Sequence, residues 1–138
     1  MFEYFDYLYR YCLHDCKINK IIVEGGKLIL IFENGIYELN SEAKQERLTN
    51  KCQMEIEFEN NHSADMYSHI DINQIMHRKV RDVDFCVLQK MLENHYFDID
   101  MNFYSQFCNT VLLVGYIKKA RFEIKVSEIS RINFVMDP

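Results

Sequence analysis

From Leu13 to Asn40 the chain sets apolar runs around two tight turns, LHDCKINKIIVEGGKLILIFENGIYELN. Gly25-Gly26 and Asn34-Gly35 tolerate the positive φ that primed hairpin turns require, and each lies between runs rich in Ile, Leu, Val, Phe and Tyr. The pattern predicts a three-stranded antiparallel meander. Ahead of it, Phe2, Phe5, Tyr9 and Cys12 fall at helical spacing, which predicts a short, tyrosine-rich helix over residues 2–12 that packs on the sheet.

After the meander, Ser41 to Lys51 is polar without apolar periodicity and reads as a connection. Cys52, Met54, Ile56 and Phe58 then alternate with Gln53, Glu55, Glu57 and Glu59, the pattern of a strand with one face in the core and the other in water. A second alternating run, Met66, Ile70 and Ile72, continues toward Ile75 or Met76. Val83, Val87, Leu88, Met91 and Leu92 return to helical spacing behind Asp82 or Asp84 as the N-cap, which predicts a helix over 83–95. From Phe97 the period is two again, with Phe97, Ile99, Met101 and Phe103 inward and Asp98, Asp100 and Asn102 outward. Val111 to Ile117 reads as a buried strand, Lys118-Lys119 as a turn into Phe122, Ile124 and Val126, and Ile132, Phe134 and Met136 as a last strand.

The fold class expected from this order is α+β. A mainly antiparallel sheet of about seven to nine strands, curved or split into two packed sheets, carries two helices near 2–12 and 83–95. At 138 residues the chain is one domain, 1–138, whose outline repeats as two helix-plus-meander halves, 1–80 and 81–138, without residue identity between them.

Charge and composition then remove whole classes of function. With 16 basic against 21 acidic side chains the formal charge is −5, which repels phosphate backbones and argues against nucleic acid as a partner. The densest basic run, His77-Arg78-Lys79-Val80-Arg81, reads as a solvated strand-to-helix junction. Five scattered cysteines and an N-terminus without a hydrophobic export segment point to a reducing, cytoplasmic setting. The apolar runs Leu28 to Phe32 and Val111 to Val114 fall far short of the roughly 20 residues of a membrane-crossing helix, so no membrane partner is expected.

Candidate chemistry is sparse. Cys12, His14 and Cys16 put three soft ligands in five residues, but no second ligand pair follows, so the plainer reading is a helix-to-strand joint and no metal is assigned. The chain lacks a glycine-rich phosphate loop, a nucleophile elbow and a dinucleotide fingerprint, so no cofactor is implied and an enzyme is disfavoured. Glu55, Glu57 and Glu59 point one way from their strand, and Asp98 and Asp100 do so from another. Placed side by side, the two strands would offer a basic protein partner one acidic face. Acid/base catalysis by a carboxylate pair would instead need a concave site with the groups about 5–9.5 Å apart, which an open strand face does not supply.

The segment LHDCKINKII…KLILIFENGIYEL, Leu13 to Leu39, resembles the opening of small uncharacterised bacterial β-rich proteins, some of them grouped with immunity proteins of polymorphic toxin systems. The resemblance implies a non-catalytic, cytoplasmic and acidic protein, and it carries over no individual functional residue. The function expected is therefore a non-catalytic protein-binding module, extending to an immunity-type inhibitor of a basic toxin. The alternatives are a small-ligand binder or enzyme with an aromatic pocket between sheet and helix, and a homo-oligomer formed through a sheet edge.

Overall fold

Alternation and turn chemistry become, in the computed structural model, thirteen strands and one complete α-helix among the described residues, which are 10–40, 42, 44–59, 66–105 and 107–137. The expected helix over 2–12 lies outside the described residues up to position 9, while its last two positions, Tyr11–Cys12, form a short strand, β1. The chain crosses a second short strand, β2 (Lys17–Ile18), and enters the hairpin β3 (Lys20–Glu24) and β4 (Lys27–Phe32). Gly25 and Gly26 both hold positive φ, 61° and 76°, as a primed turn demands.

The second turn behaves differently. Of Asn34 and Gly35 only the glycine is left-handed, at φ 79°, so the turn lacks the double left-handed geometry of a tight hairpin. Its exit is tied to Thr49 instead: the Ile36 N–H donates to Thr49 Oγ1 at 3.0 Å, and the Thr49 N–H donates to the Ile36 carbonyl at 2.8 Å. The next strand, β5 (Tyr37–Leu39), therefore leaves β4 and pairs with β1 and with β6 (Gln45–Leu48). The three-stranded meander is thus a hairpin plus a strand of another sheet, and the polar connection 41–51 contains a strand.

β7 (Cys52–Phe58) alternates buried and half-buried positions along its whole length. It sits inside a four-stranded sheet of order β13-β7-β4-β3, whose edge strand β13 is Ile129–Met136. A 3-10 turn, Tyr67–His69, leads into β8 (Ile70–Met76) and β9 (Lys79–Asp82). The helix, α1, spans Phe85–Met91, shorter than the 83–95 expected. Asp84 occupies its N-cap with extended backbone and no side-chain capping bond. β10 (Phe97–Ser105), β11 (Thr110–Ile117) and β12 (Ala120–Val126) then complete a six-stranded sheet of order β2-β10-β11-β12-β8-β9.

Among the described residues thirteen strands in three sheets replace the seven to nine expected, and the halves 1–80 and 81–138 interleave. β8 joins the sheet of β10 to β12, β13 joins the sheet of β4 and β7, and residue 80 falls inside β9. Inward residues of both larger sheets meet in one buried cluster, including Leu28, Leu30, Met54 and Ile56 from one and Phe97, Leu113, Phe122 and Ile124 from the other. Leu88 and Leu92 close it from the helical segment. Burying such a side chain stabilises the fold by about 1.5–3 kcal/mol each, so this shared core is what fixes which face of every strand looks outward.

Candidate protein-docking surface

The outward face of the six-stranded sheet is set by one irregularity in β10. Ile99 stands opposite Gly115 and Met101 opposite Val114, which leaves Asp100 as an extra residue, a β-bulge. Gly115 permits the close approach: a Cβ there would lie 2.1 Å from the Asp98 carbonyl oxygen and 2.9 Å from the Phe97 ring. Phe97 and Ile99 stay in the core, but past the bulge the alternation is reversed, and Met101 and Phe103 are 39% and 50% exposed. The inward placement expected for these two side chains is therefore wrong, because a strict period of two cannot survive an inserted residue.

Met101 lies beside Val114 and Phe103 beside Leu112, while Tyr116, 38% exposed, lies beside Asp98. Exposed Met101, Phe103 and Tyr116, together with half-buried Leu112 and buried Val114, form an apolar stripe across two adjacent strands. Next to it β12 contributes Arg121, Glu123 and Lys125, with Arg121 Nη2 3.9 Å from Glu123 Oε1.

The margin of the stripe is acidic. The Asp15 N–H donates to the Ile99 carbonyl at 2.8 Å, and the Ile99 N–H donates to the Cys16 carbonyl at 2.9 Å, which draws residues 14–16 along the start of β10. The His14 ring Nδ1 meets the Asp100 carbonyl oxygen, and its Nε2 lies 3.4 Å from Asp15. Asp15, Asp98 and Asp100 are thereby gathered at one corner, with Lys17 opposite Asp98. β2 accompanies β10 only at Phe97 and Asp98, so among the described residues no strand accompanies β10 on that side from Met101 to Ser105.

The carboxylates of β7 are placed in the other sheet, apart from Asp98 and Asp100. Glu55, 15% exposed, pairs with Lys27 at 3.1 Å and accepts a bond from Gln53 at 3.3 Å. Glu57 stands in register between Lys27 and Arg131 and lies 3.8 Å from the latter. Two cations thus balance two carboxylates on this face. Glu59 is exposed beyond the strand and accepts a bond from the Asn109 amide at 3.0 Å.

Cys12, His14 and Cys16 form the joint between β1 and β2. The Cys16 thiol is buried and points toward the Cys12 carbonyl at 3.4 Å, and the Gln45 amide reaches Cys12 Sγ at 3.5 Å. Burial pushes the Cys16 thiol up to about 12 and the Cys52 thiol up to about 11, so both stay protonated and unreactive near neutrality. Among the described residues no three His, Cys, Asp or Glu side chains converge as metal ligands. No helix among them is long and apolar enough to cross a membrane.

A cleft of 590 Å³ lies between β3 and the helical segment, lined in part by Asn19, Lys20, Ile22, Cys86, Gln89 and Glu93. It is polar-rimmed and open to solvent, and no aromatic side chain among the described residues lines it.

Sequence reasoning missed Met101, Phe103, Tyr116 and Asp15 as surface groups of one site. A single signal could have found them: Gly115 inside an otherwise β-branched and aliphatic strand marks a bulge or close backbone approach beside it. Comparison with protein families, with curated proteins and with solved structures finds no match to this chain.

Proposed function

We propose that the protein is a non-catalytic binding module that receives a basic, apolar segment of a protein partner at the β10 margin of the six-stranded sheet. The observation that supports this reading is the stripe in which Met101 and Phe103, left outside the core by the Asp100 bulge, join exposed Tyr116, bordered by Asp15, Asp98 and Asp100. Apolar anchors supply affinity when covered, and the acidic border selects basic partners and excludes acidic ones. The balanced charges around Glu55 and Glu57 move the acidic determinant from β7 to this corner. An immunity-type role, with a basic toxin as the partner, is the form of this function favoured by the resemblance of residues 13–39.

The test is cross-linking capture from the native cells with three versions of the full chain: unaltered, Met101→Ser/Phe103→Ser, and Asp98→Lys/Asp100→Lys. Captured proteins are quantified by mass spectrometry, with circular dichroism to show that each variant is folded. Loss of the same basic partner from both variants is expected. Undiminished capture by both folded variants overturns the proposal.

A further inference from the structure

The opposite margin of the same sheet carries the reverse chemistry. β8 and β9 form a hairpin whose turn is His77-Arg78, and both of these residues hold left-handed backbone, at φ 47° and 70°. Side chains rarely adopt that conformation, and Asn-Gly would adopt it with far less strain. Two large side chains, one of them the Arg78 cation, therefore stand where the backbone disfavours them. The basic run expected to join a strand to a helix is instead a turn followed by an edge strand.

Four further observations coincide there. Arg78, Lys79 and Arg81 make no ion pair with any described residue; the same holds for several lysines elsewhere, but here three such cations fall within the run Arg78-Lys79-Val80-Arg81. Val80 is 66% exposed and Met76 51% exposed. β9 is the last strand of its sheet among the described residues, so no described strand lies beside one side of its backbone. An open groove of 490 Å³ runs along the hairpin, lined by Gln74, Met76, His77, Lys79, Val80 and Arg81.

From these we infer that the β8–β9 hairpin is a second docking element, which takes up an acidic, extended polypeptide segment by strand addition to β9. Successive side chains of β9 point to opposite faces, so Lys79 and Arg81 share one face while Val80 projects from the other. A partner strand with carboxylates at alternate positions and aliphatic residues between them matches both faces at once, and its backbone satisfies the open edge. A nucleic acid offers charge without alternating N–H and C=O groups, and it meets the chain's overall charge of −5 unfavourably. A second copy pairing β9 to β9 antiparallel would set these cations against their own counterparts, which is unfavourable.

The probe is a capped, fluorescein-labelled peptide alternating Glu and Val, titrated with the full chain and read by fluorescence anisotropy. Saturable binding that weakens with salt is expected, together with slowed hydrogen exchange at the β9 amides. A peptide N-methylated at alternate amides should lose the binding, because charge alone would remain. Lys79→Glu/Arg81→Glu should weaken binding about tenfold or more. As a safeguard against misfolding, His77→Asn/Arg78→Gly removes charge while easing the turn, and it should bind more weakly while melting higher. Met101→Ser/Phe103→Ser, which disables the opposite margin, should leave the peptide affinity unchanged. The inference is overturned by an absence of binding, by equal binding of the N-methylated peptide, by equally tight binding of a single-stranded oligonucleotide of the same charge, or by a concentration-dependent dimer that buries β9.

Discussion

Replacing Gly115 by Ala places a methyl group where β11 presses against β10 at the bulge. The added Cβ would lie 2.1 Å from the Asp98 carbonyl oxygen, and ordinary contact begins near 3.4 Å, so backbone must shift by about 1.3 Å. Phe97, at 2.9 Å and fully buried, obstructs the shift from the core side. Overpacking of this kind costs about 1–3 kcal/mol. Stiffening of the unfolded chain returns about 0.4–1 kcal/mol. A net loss of roughly 1–2 kcal/mol follows, or a fall in Tm of about 3–8 °C for a domain of this size. Urea unfolding followed by far-UV circular dichroism measures the first and a thermal scan the second. Two other glycines calibrate the result. Gly25→Ala meets nothing within 4 Å and carries only the left-handed backbone cost of about 1–2 kcal/mol, while Gly35→Ala combines that cost with a 2.1 Å approach to the Thr49 carbonyl and should be the worst of the three. A Gly115→Ala variant as stable as the parent would refute the claim that close approach, rather than chance, puts glycine in this strand.

Other outcomes follow from the same structure. Glu55→Lys sets a second ammonium beside Lys27 on a half-buried face and should cost on the order of 1–3 kcal/mol in urea unfolding, whereas Glu59→Lys, exposed, should stay within about 0.5 kcal/mol; equal effects would show that the Lys27 pair contributes nothing. His77→Asn/Arg78→Gly should stabilise the fold by about 1–2 kcal/mol by relieving two left-handed side-chain-bearing residues, and an unchanged Tm would remove the strain argument. In the native protein iodoacetamide at pH 8 should modify exposed Cys86 and Cys108 and spare buried Cys16 and Cys52, as peptide mass mapping can check. The raised Cys16 and Cys52 values also have a linkage consequence. The folded state holds these protons more tightly than the unfolded state, with its ordinary value of 9.0, so the stability they contribute is present below that pH. It is lost as pH rises from about 9 toward 11–12; Cys16→Ala/Cys52→Ala should flatten the alkaline limb, and an unchanged limb would assign it to other groups.

What the sequence determined by itself were the local rules: the Gly25-Gly26 hairpin, the alternation of β7 and β12, the buried strand β11, and the existence of α1. Each rests on neighbours a few residues apart, where turn geometry and side-chain period act directly. The N-cap was narrowed to Asp82 or Asp84, and the structure takes Asp84, where the backbone changes from extended to helical. Only the tertiary structure decided which strands share a sheet. Asn34-Gly35 has hairpin letters, yet Thr49 and the neighbouring backbone draw the chain out of the β4 sheet, a contact between residues more than a dozen positions apart. Pairing across such separations likewise put Glu55 and Glu57 against Lys27 and Arg131, in a different sheet from Asp98 and Asp100. The candidate site depends on the finest of these decisions. One inserted residue, Asp100, turns Met101 and Phe103 from core to surface, because a pleated strand has only two faces and a shift of one exchanges them.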